Sequence, residues 1–204
     1  MALTAVTLLV QPAAHAQGDQ RPRLSVRSAD DFDVTLNRAQ QITAVEGTDR
    51  ALTATMNEDF MDLWNEDVFE VFLWTDERYP AYFEYEISPL NHELPILIPN
   101  FGGQFLGWRP WHYERDRLTR KATTIIGGPK QPRAAIEGWR AEFFIPYALL
   151  RPLQNVPPKP GTKWRVNVYR MDYDEGKRSQ WEWAHVDKSF HEYERFGDLV
   201  FADR

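Results

Sequence analysis

The 204-residue sequence predicts an all-β fold, a two-layer antiparallel β-sandwich of jelly-roll or immunoglobulin-like type with little helix. Three observations predict it: short segments that alternate apolar and polar residues, turns rich in Pro and Gly between them, and almost no 3.6-residue periodicity. Aromatic residues make up 14% of the chain, so apolar area for a core is ample. We expect one domain over residues 23–203, because sandwiches of this length rarely split.

The first sixteen residues resemble the remnant of a secretory signal peptide. An apolar run over 5–10 precedes Ala14-His15-Ala16, which fits the small-x-small pattern before a cleavage site. The basic start is missing, since no Lys or Arg precedes Arg21. The alternative is that residues 4–10 form a first strand. A signal peptide would predict a secreted or periplasmic protein.

Two central segments predict an antiparallel hairpin. Residues 62–74 begin as a polar turn and continue as an apolar run interrupted by Glu70, which is typical of a strand buried on both faces. Residues 82–88 alternate, which places Glu84 and Glu86 on one face of the next strand. The short connection between the segments favours a hairpin. Glu70 is therefore expected beside Glu84 or Glu86.

The flanking segments follow the same pattern. Residues 23–34 read as a strand running into an acidic turn, and residues 91–138 contain so many Pro and Gly that we expect long surface loops with only short β-like pieces. Residues 138–145 alternate up to Pro146, which has no N–H for a ladder, and a helical turn is expected over 147–150. Further strands are predicted over 164–171, 179–184 and 197–201.

Composition limits the partners and cofactors. The net charge of −6 opposes nucleic-acid binding, which needs a basic face, and no segment after the N-terminus has the apolar length of a membrane helix. The sequence has no Cys, and its five His lack metal-type spacing. No cofactor is required on these grounds. Asp30, Asp31 and Asp33 leave a structural calcium ion open.

Four segments resemble, in order and spacing, landmarks of the family 9-like carbohydrate-binding modules. The segments are DLWNEDVFEVFL, YFEYEISPLN, GWRAEFFIPYALL with PPKPGTKWRVNVYRMD, and SFHEYERFGDLVF. The resemblance covers about residues 52–201, and the opening segment is either truncated or divergent. It implies a β-sandwich that binds carbohydrate without catalysis and serves as an accessory to glycoside hydrolases. The wider sandwich group also includes haem-binding sensor-like domains.

The resemblance implies site residues as well. Sugars present apolar C–H faces and hydroxyls, so a site needs flat aromatics and fixed polar groups. Trp64 matches a Trp that stacks on sugar rings in the family, and Phe190 replaces the second aromatic residue of that stacking pair. Glu70 matches a carboxylate that accepts hydrogen bonds from sugar hydroxyls. At the positions of Glu84 and Glu86 the sugar-binding relatives have basic and amide side chains. This sequence has acidic side chains there, so the polarity of the site is reversed relative to those relatives. The expected carbohydrate-binding set is Trp64, Glu70, Glu84, Glu86, Tyr169, Arg178, Trp181 and Phe190.

Several of these side chains have a structural interpretation too. Trp64 is compatible with ordinary packing at the rim of the sandwich, and the aromatic loop 108–113 either extends a sugar platform or covers the sheet edge. Glu70 is compatible with a buried salt bridge. The candidate partners of this salt bridge are Arg165, Arg170 and Arg178.

The leading hypothesis is binding of a plant-type polysaccharide or oligosaccharide in carbohydrate catabolism. One alternative is a glycoside hydrolase that acts on O-glycosyl bonds, because three carboxylates on adjacent strands can supply an acid and a nucleophile at separations of about 5 to 10 Å. Another is a haem or interaction domain, for which Met56, Met61 and Met171 are candidate ligands.

Overall fold

The computed structural model describes residues 23–27, 51–111 and 113–202. The predicted signal segment, the acidic residues 30–33 and His112 lie outside these ranges. The described elements are eleven strands, one α-helix, α1, and four 3-10 turns of three residues each at Leu63–Asn65, Arg115–Arg117, Asp174–Gly176 and Tyr193–Arg195. The strands and the helix are β1 Arg23–Arg27, β2 Val68–Trp74, β3 Ala81–Ile87, β4 Glu93–Phe101, β5 Gln104–Phe105, β6 Arg109–Pro110, β7 Arg120–Ile126, β8 Gly138–Phe144, α1 Tyr147–Leu150, β9 Lys163–Asp172, β10 Ser179–Glu182 and β11 Gly197–Ala202.

The strands form one large sheet and one small one. The large sheet has the order β1-β11-β9-β2-β3-β4-β5, with β10 paired to β9 and β6 paired to β4, and the small sheet is the pair β7-β8. Within the described residues every pairing is antiparallel except β1 with β11. The predicted β-sandwich with little helix is thus confirmed. Nothing in the described ranges is a helix long and apolar enough to cross a membrane.

Both faces of the large sheet are buried, as the aromatic content of its central strands predicts. On the first face Phe83, Tyr85 and Val166 belong to a core closed by the small sheet and α1; the Tyr85 and Phe143 rings, for example, lie 4.9 Å apart. The second face carries another apolar cluster, covered largely by the loop 183–196. The period-2 alternation of β3 and β9 assigns each side chain to its face.

The β2-β3 hairpin is confirmed, and its register fixes the relative positions of the acidic side chains. Glu70 lies directly opposite Glu86, and Phe72 lies opposite Glu84. On its other side β2 pairs with β9, so that Glu70 lies opposite Tyr169. Five polar or aromatic side chains from three neighbouring strands therefore project from the second face at one place.

The prediction of long loops over 91–138 is wrong, because β4, β5, β6 and β7 lie in this segment. The prediction failed because Pro95 and Pro99 lie within β4, whereas proline usually ends a strand. Both are tolerated because their carbonyls point away from β3 and accept bonds from Trp111 N (2.8 Å) and Leu106 N (3.1 Å). A strand residue directs its N–H and C=O to the same side, so the missing N–H groups remove no bond to β3.

A buried carboxylate fastens the start of β4 to the neighbouring loops. Glu93 accepts hydrogen bonds from the hydroxyls of Tyr85 (2.6 Å), Tyr113 and Thr119 (2.6 and 2.8 Å). Lys121 Nζ lies 3.3 Å from Glu93 Oε1 and makes a second ion pair, 2.6 Å long, with Asp59. Glu93 is therefore a structural acid whose charge and lone pairs are satisfied.

Candidate functional site

A groove of about 630 Å³ opens on the second face of the large sheet. Its floor comes from β2 and β3, and its walls come from the loop before β2, the β5-β6 region and the loop 186–191. The groove combines aromatic surface with charged side chains, as expected for a site that binds a polar ligand with apolar faces. Of the eight predicted residues, five line it: Trp64, Glu70, Glu84, Arg178 and Phe190.

The floor of the groove is acidic. Glu70 and Glu84 are 2% and 4% exposed, and Glu86, which is fully buried, lies behind them on the same face of the sheet. Glu84 and Glu86 interact with each other through a side-chain hydrogen bond, and among the described residues no other group bonds Glu84 Oε2 or either carboxyl oxygen of Glu86. Buried polar atoms in proteins nearly always have a partner, and Glu84 lines the groove, so its carboxyl group is accessible to a ligand or to water.

Burial makes these three acids weak. Desolvation raises the pKa of Glu70 from 4.5 to about 8, and the positive charge of Arg178 opposes part of this rise. The pKa values of Glu84 and Glu86 are also raised well above their usual range, first by desolvation and then by the negative charge of Glu70. Around neutral pH the cluster therefore holds protons, and it is well placed both to donate and to accept hydrogen bonds.

One wall of the groove presents a rigid aromatic ring. Phe190 stacks on Tyr169 with ring centroids 4.0 Å apart and an interplanar angle of 11°. The Tyr169 hydroxyl donates a 3.0 Å hydrogen bond to the backbone carbonyl of Phe190 and accepts one of 2.6 Å from Asn167 Nδ2. Tyr169 is fully buried and does not line the groove. Its place is behind Phe190, which it holds flat.

The opposite wall carries the predicted stacking Trp. Trp64 is half-buried and packs edge-to-face on Trp108, with ring centroids 5.4 Å apart. The Tyr173 hydroxyl donates a 2.8 Å hydrogen bond to the Trp64 carbonyl, which fixes the backbone of this wall. Both indoles line the groove, so Trp108 of the aromatic loop extends the platform. Trp111 instead donates its Nε1–H to Leu149 O (2.7 Å), outside the groove.

His191 is a groove residue that the sequence interpretation missed. Its ring stacks on Phe105 at 4.0 Å, and its Nδ1 is hydrogen-bonded to the Tyr82 hydroxyl at 2.6 Å. Burial lowers the pKa of His191 to about 4, so the ring is neutral at pH 7. The signal that points to it is its position directly after Phe190 in the segment SFHEYERFGDLVF.

Arg178 lies on the rim. The residue is exposed, and its guanidinium carbon lies 5.8 Å from the centroid of the Phe190 ring. Of the three candidate cations, Arg178 is the one whose charge acts on Glu70. Arg165 is engaged by the Phe196 carbonyl and other groups.

Trp181 lies away from the groove. It is opposite Arg170 in the β9-β10 pair, with the Arg170 guanidinium carbon 5.0 Å from its ring, and it packs against the core of the first face. Alternation along β10 sends its neighbour Gln180 to the groove instead. Trp181 is therefore not part of the candidate site. Glu86 lies behind the floor of the groove and Tyr169 lies behind its Phe190 wall, so neither contacts a ligand in the groove directly.

Metal and haem ligation find no further support here. No group of three His, Asp or Glu side chains among the described residues is placed to hold a metal ion. Of the methionines considered for haem, Met171 lines the groove and Met61 is exposed. The calcium prediction falls on residues outside the described ranges. It stays untested.

Comparison with known proteins adds the following. No protein-family model matches the sequence. A protein of Arthroderma benhamiae described as an extracellular protein is 28% identical over 152 residues, covering 69% of this chain and 63% of the relative. The chain therefore spans less than two thirds of the length of that relative.

Two solved structures have a similar fold. A putative carbohydrate-binding protein from Bacteroides uniformis has a TM-score of 0.55 at 16% identity and covers 76% of this chain and 69% of its own. A family 9 carbohydrate-binding module from Caldicellulosiruptor kristjanssonii, in complex with glucose, has a TM-score of 0.50 at 14% identity and covers 90% and 97%. The predicted resemblance to family 9-like modules is confirmed at the level of the fold.

Proposed function

We propose that this chain binds carbohydrate in the groove and does not cleave it. The observation that carries the proposal is the Phe190 ring, held flat by Tyr169 in a groove that also exposes the buried carboxyl group of Glu84, whose Oε2 has no hydroxyl or ammonium donor among the described residues. A flat ring suits the C–H face of a pyranose, and the carboxyl groups suit its hydroxyls. Trp64 and Trp108 provide a second aromatic surface across the groove.

The fold supports this proposal. One structural neighbour is described as a carbohydrate-binding protein, and the other binds glucose. The relative described as extracellular is consistent with a secreted or periplasmic protein. An oligosaccharide or polysaccharide of plant type as ligand, a role in carbohydrate catabolism and a glycoside hydrolase as partner are finer parts of the same proposal.

The electrostatics of the groove argue against hydrolysis. A glycosidase needs a protonated acid and an ionised carboxylate, which different environments keep apart in pKa. Here burial raises the pKa of Glu70, Glu84 and Glu86 alike. The cluster thus lacks the second, ionised member at neutral pH.

The test is titration of the protein with a panel of saccharides, with binding measured by tryptophan fluorescence and by calorimetry. The panel contains xylo-, cello- and amino-sugar oligomers. We expect at least one member to quench fluorescence, and Phe190→Ala to weaken its binding by about tenfold or more, which corresponds to about 1.4 kcal/mol. Phe101→Ala is the matched control, because Phe101 is 74% exposed and lies outside the groove.

Three results would contradict the proposal. One is that no saccharide in the panel binds the folded protein. The second is release of reducing sugar that Glu70→Gln abolishes, which indicates a hydrolase. The third is a Soret band in the purified protein, which indicates a haem domain.

A further inference from the structure

The side chain that covers the Phe190 ring in the groove is a cation. Arg178 is exposed, its guanidinium carbon lies 5.8 Å from the Phe190 ring centroid, and its charge is the main one that opposes the raised pKa of Glu70. Its contact with Gln180 Oε1 is long, at 3.4 Å. The Arg178 side chain thus lies near an aromatic ring, shares the groove with a buried acid on which its charge acts, and makes only weak interactions.

The acids beneath it lack the donors that a structural acid has in this fold. Glu93 is equally buried and is surrounded by three hydroxyl groups and an ammonium group. Glu84, 4% exposed, lines the groove and is hydrogen-bonded to another buried acid, Glu86, with no hydroxyl or ammonium donor on its Oε2 among the described residues. His191 Nδ1 is 4.0 Å from Glu84 Oε2 and belongs to a neutral ring.

Positive charge from a ligand would complete this arrangement. An ammonium group supplies three hydrogen-bond donors, and it is attracted both by carboxylates and by aromatic faces. Neutral hydroxyls can satisfy the oxygen atoms of the protonated acids, whereas a cation also stabilises their ionised form. The other cation on the groove lining, Lys188, is exposed at the rim.

We propose, on the basis that the groove binds carbohydrate, that its ligand is a sugar with a protonated amine, such as a β-1,4-linked glucosamine oligomer. Its ammonium group takes the place of the Arg178 guanidinium between Glu70 and the Phe190 ring. The sugar ring then lies along Phe190, and the displaced Arg178 side chain turns to solvent. This ligand class differs from the neutral plant-type glycans expected from the sequence.

The role of Arg178 separates the two ligand classes by the sign of one effect. If the ligand is neutral, Arg178 is a donor to its hydroxyls, and removing it weakens binding. If the ligand carries an ammonium group, Arg178 competes with it for the same place, and removing it strengthens binding. Lys177, the exposed neighbour that does not line the groove, offers a matched control.

The experiment is isothermal titration of the wild-type chain, Arg178→Gln and Lys177→Gln at pH 7. The ligands are the trimers of glucosamine, N-acetylglucosamine and glucose, all β-1,4-linked. We expect the glucosamine trimer to bind about 10- to 100-fold more tightly than cellotriose. Arg178→Gln tightens glucosamine binding several-fold and does not tighten cellotriose binding, and Lys177→Gln changes neither.

A second readout is the number of protons exchanged, obtained from titrations in two buffers of different ionisation enthalpy. An ammonium group that pairs with the buried acids makes them ionise, so protons are released when glucosamine trimer binds. Glu84→Gln is expected to reduce both this release and the preference for the amine. Wild-type protein and Arg178→Gln decide the question on their own if Glu84→Gln fails to fold.

The outcomes distinguish this inference from the function on which it rests. If cellotriose binds as tightly as the glucosamine trimer or more tightly, the inferred preference for an amine is refuted, and the proposal of carbohydrate binding still holds. Weaker glucosamine binding by Arg178→Gln also refutes this preference. If tetramethylammonium or Ca²⁺ binds the groove as tightly as the amino sugar does, the groove recognises a positive charge alone, and the proposal of a sugar ligand is overturned. If no saccharide binds, the proposed function itself fails.

Discussion

Replacement of Glu70 by Gln tests whether the acidic floor of the groove makes folding depend on pH. Burial raises the pKa of Glu70 from 4.5 to about 8. The folded chain therefore binds this proton more tightly than the unfolded chain does. The resulting stabilisation is fully present below pH 4.5, decreases as the pH rises, and is lost by about pH 8.

The expected magnitude follows from the size of the shift. Each pH unit between the unfolded and folded pKa changes the free energy of unfolding by about 1.4 kcal/mol. From pH 5 to pH 8 the Glu70 carboxyl thus removes up to about 4 kcal/mol. Glu84 and Glu86 act in the same direction, because burial, and after it the charge of Glu70, raises their pKa as well. A fall of this size is a large part of the about 5 to 15 kcal/mol typical of a domain.

The assay is urea unfolding at pH 5, 6, 7 and 8, followed by tryptophan fluorescence. We expect the free energy of unfolding of Glu70→Gln, minus that of the wild type, to increase by several kcal/mol across this range. Glu58→Gln is the control, because Glu58 is exposed and its loss removes one carboxylate without changing the groove. The titrations of His185 and His191 are present in every protein compared and cancel in the differences.

The reasoning is refuted if Glu70→Gln and the wild type lose stability in parallel between pH 5 and pH 8. It is also refuted if Glu58→Gln gives the same change as Glu70→Gln. The first result would mean that the Glu70 carboxyl is solvated or paired in the folded chain. The second would mean that the slope comes from the overall charge and not from the groove.

Three further changes probe other features. Glu93→Ala leaves buried donors without an acceptor, so we expect about 3 to 5 kcal/mol less stability in urea unfolding. Gly127→Ala combines a φ of +76° with a Cβ 2.4 Å from Glu137 Cγ, so we expect a loss of at least about 1 to 2 kcal/mol and a lower Tm. Tyr169→Ala frees Phe190 and is expected to weaken saccharide binding about tenfold in calorimetry, whereas Tyr169→Phe keeps the stacking. Unchanged values would contradict each expectation.

The sequence was informative for the central strands β2, β3 and β9. In β3 and β9 alternate side chains such as Phe83 and Tyr85, or Val166 and Val168, belong to the same apolar cluster, so alternation predicted these strands and their faces. The continuous apolar run of β2 predicted a strand buried on both faces. The β2-β3 hairpin brought Glu70 beside Glu86, as expected from the short connection. These features depend on neighbouring residues, which a single sequence displays directly.

The parts that failed depend on distant contacts. Trp181 was expected in the site and lies in the predicted strand β10, but only its pairing with Arg170 shows that its side chain lies away from the groove. The stacking of Phe105 in β5 on His191 joins two segments far apart in sequence, and neither segment has a pattern that predicts the contact. Strand β4 was missed because the tolerance of its prolines depends on which edge they face.

The two prolines of β4 bear on how this chain behaves when crowded. A strand edge with free amide hydrogens is a template for another chain, and such pairing leads to aggregates. At Pro95 and Pro99 the outward side of β4 has no amide hydrogens, and its carbonyls there already accept hydrogen bonds from Trp111 and Leu106. Neighbouring copies gathered along one polymer would therefore find no continuous ladder to join there. The edge of β4 therefore lets many copies of this chain lie close together on an insoluble surface without pairing through this strand.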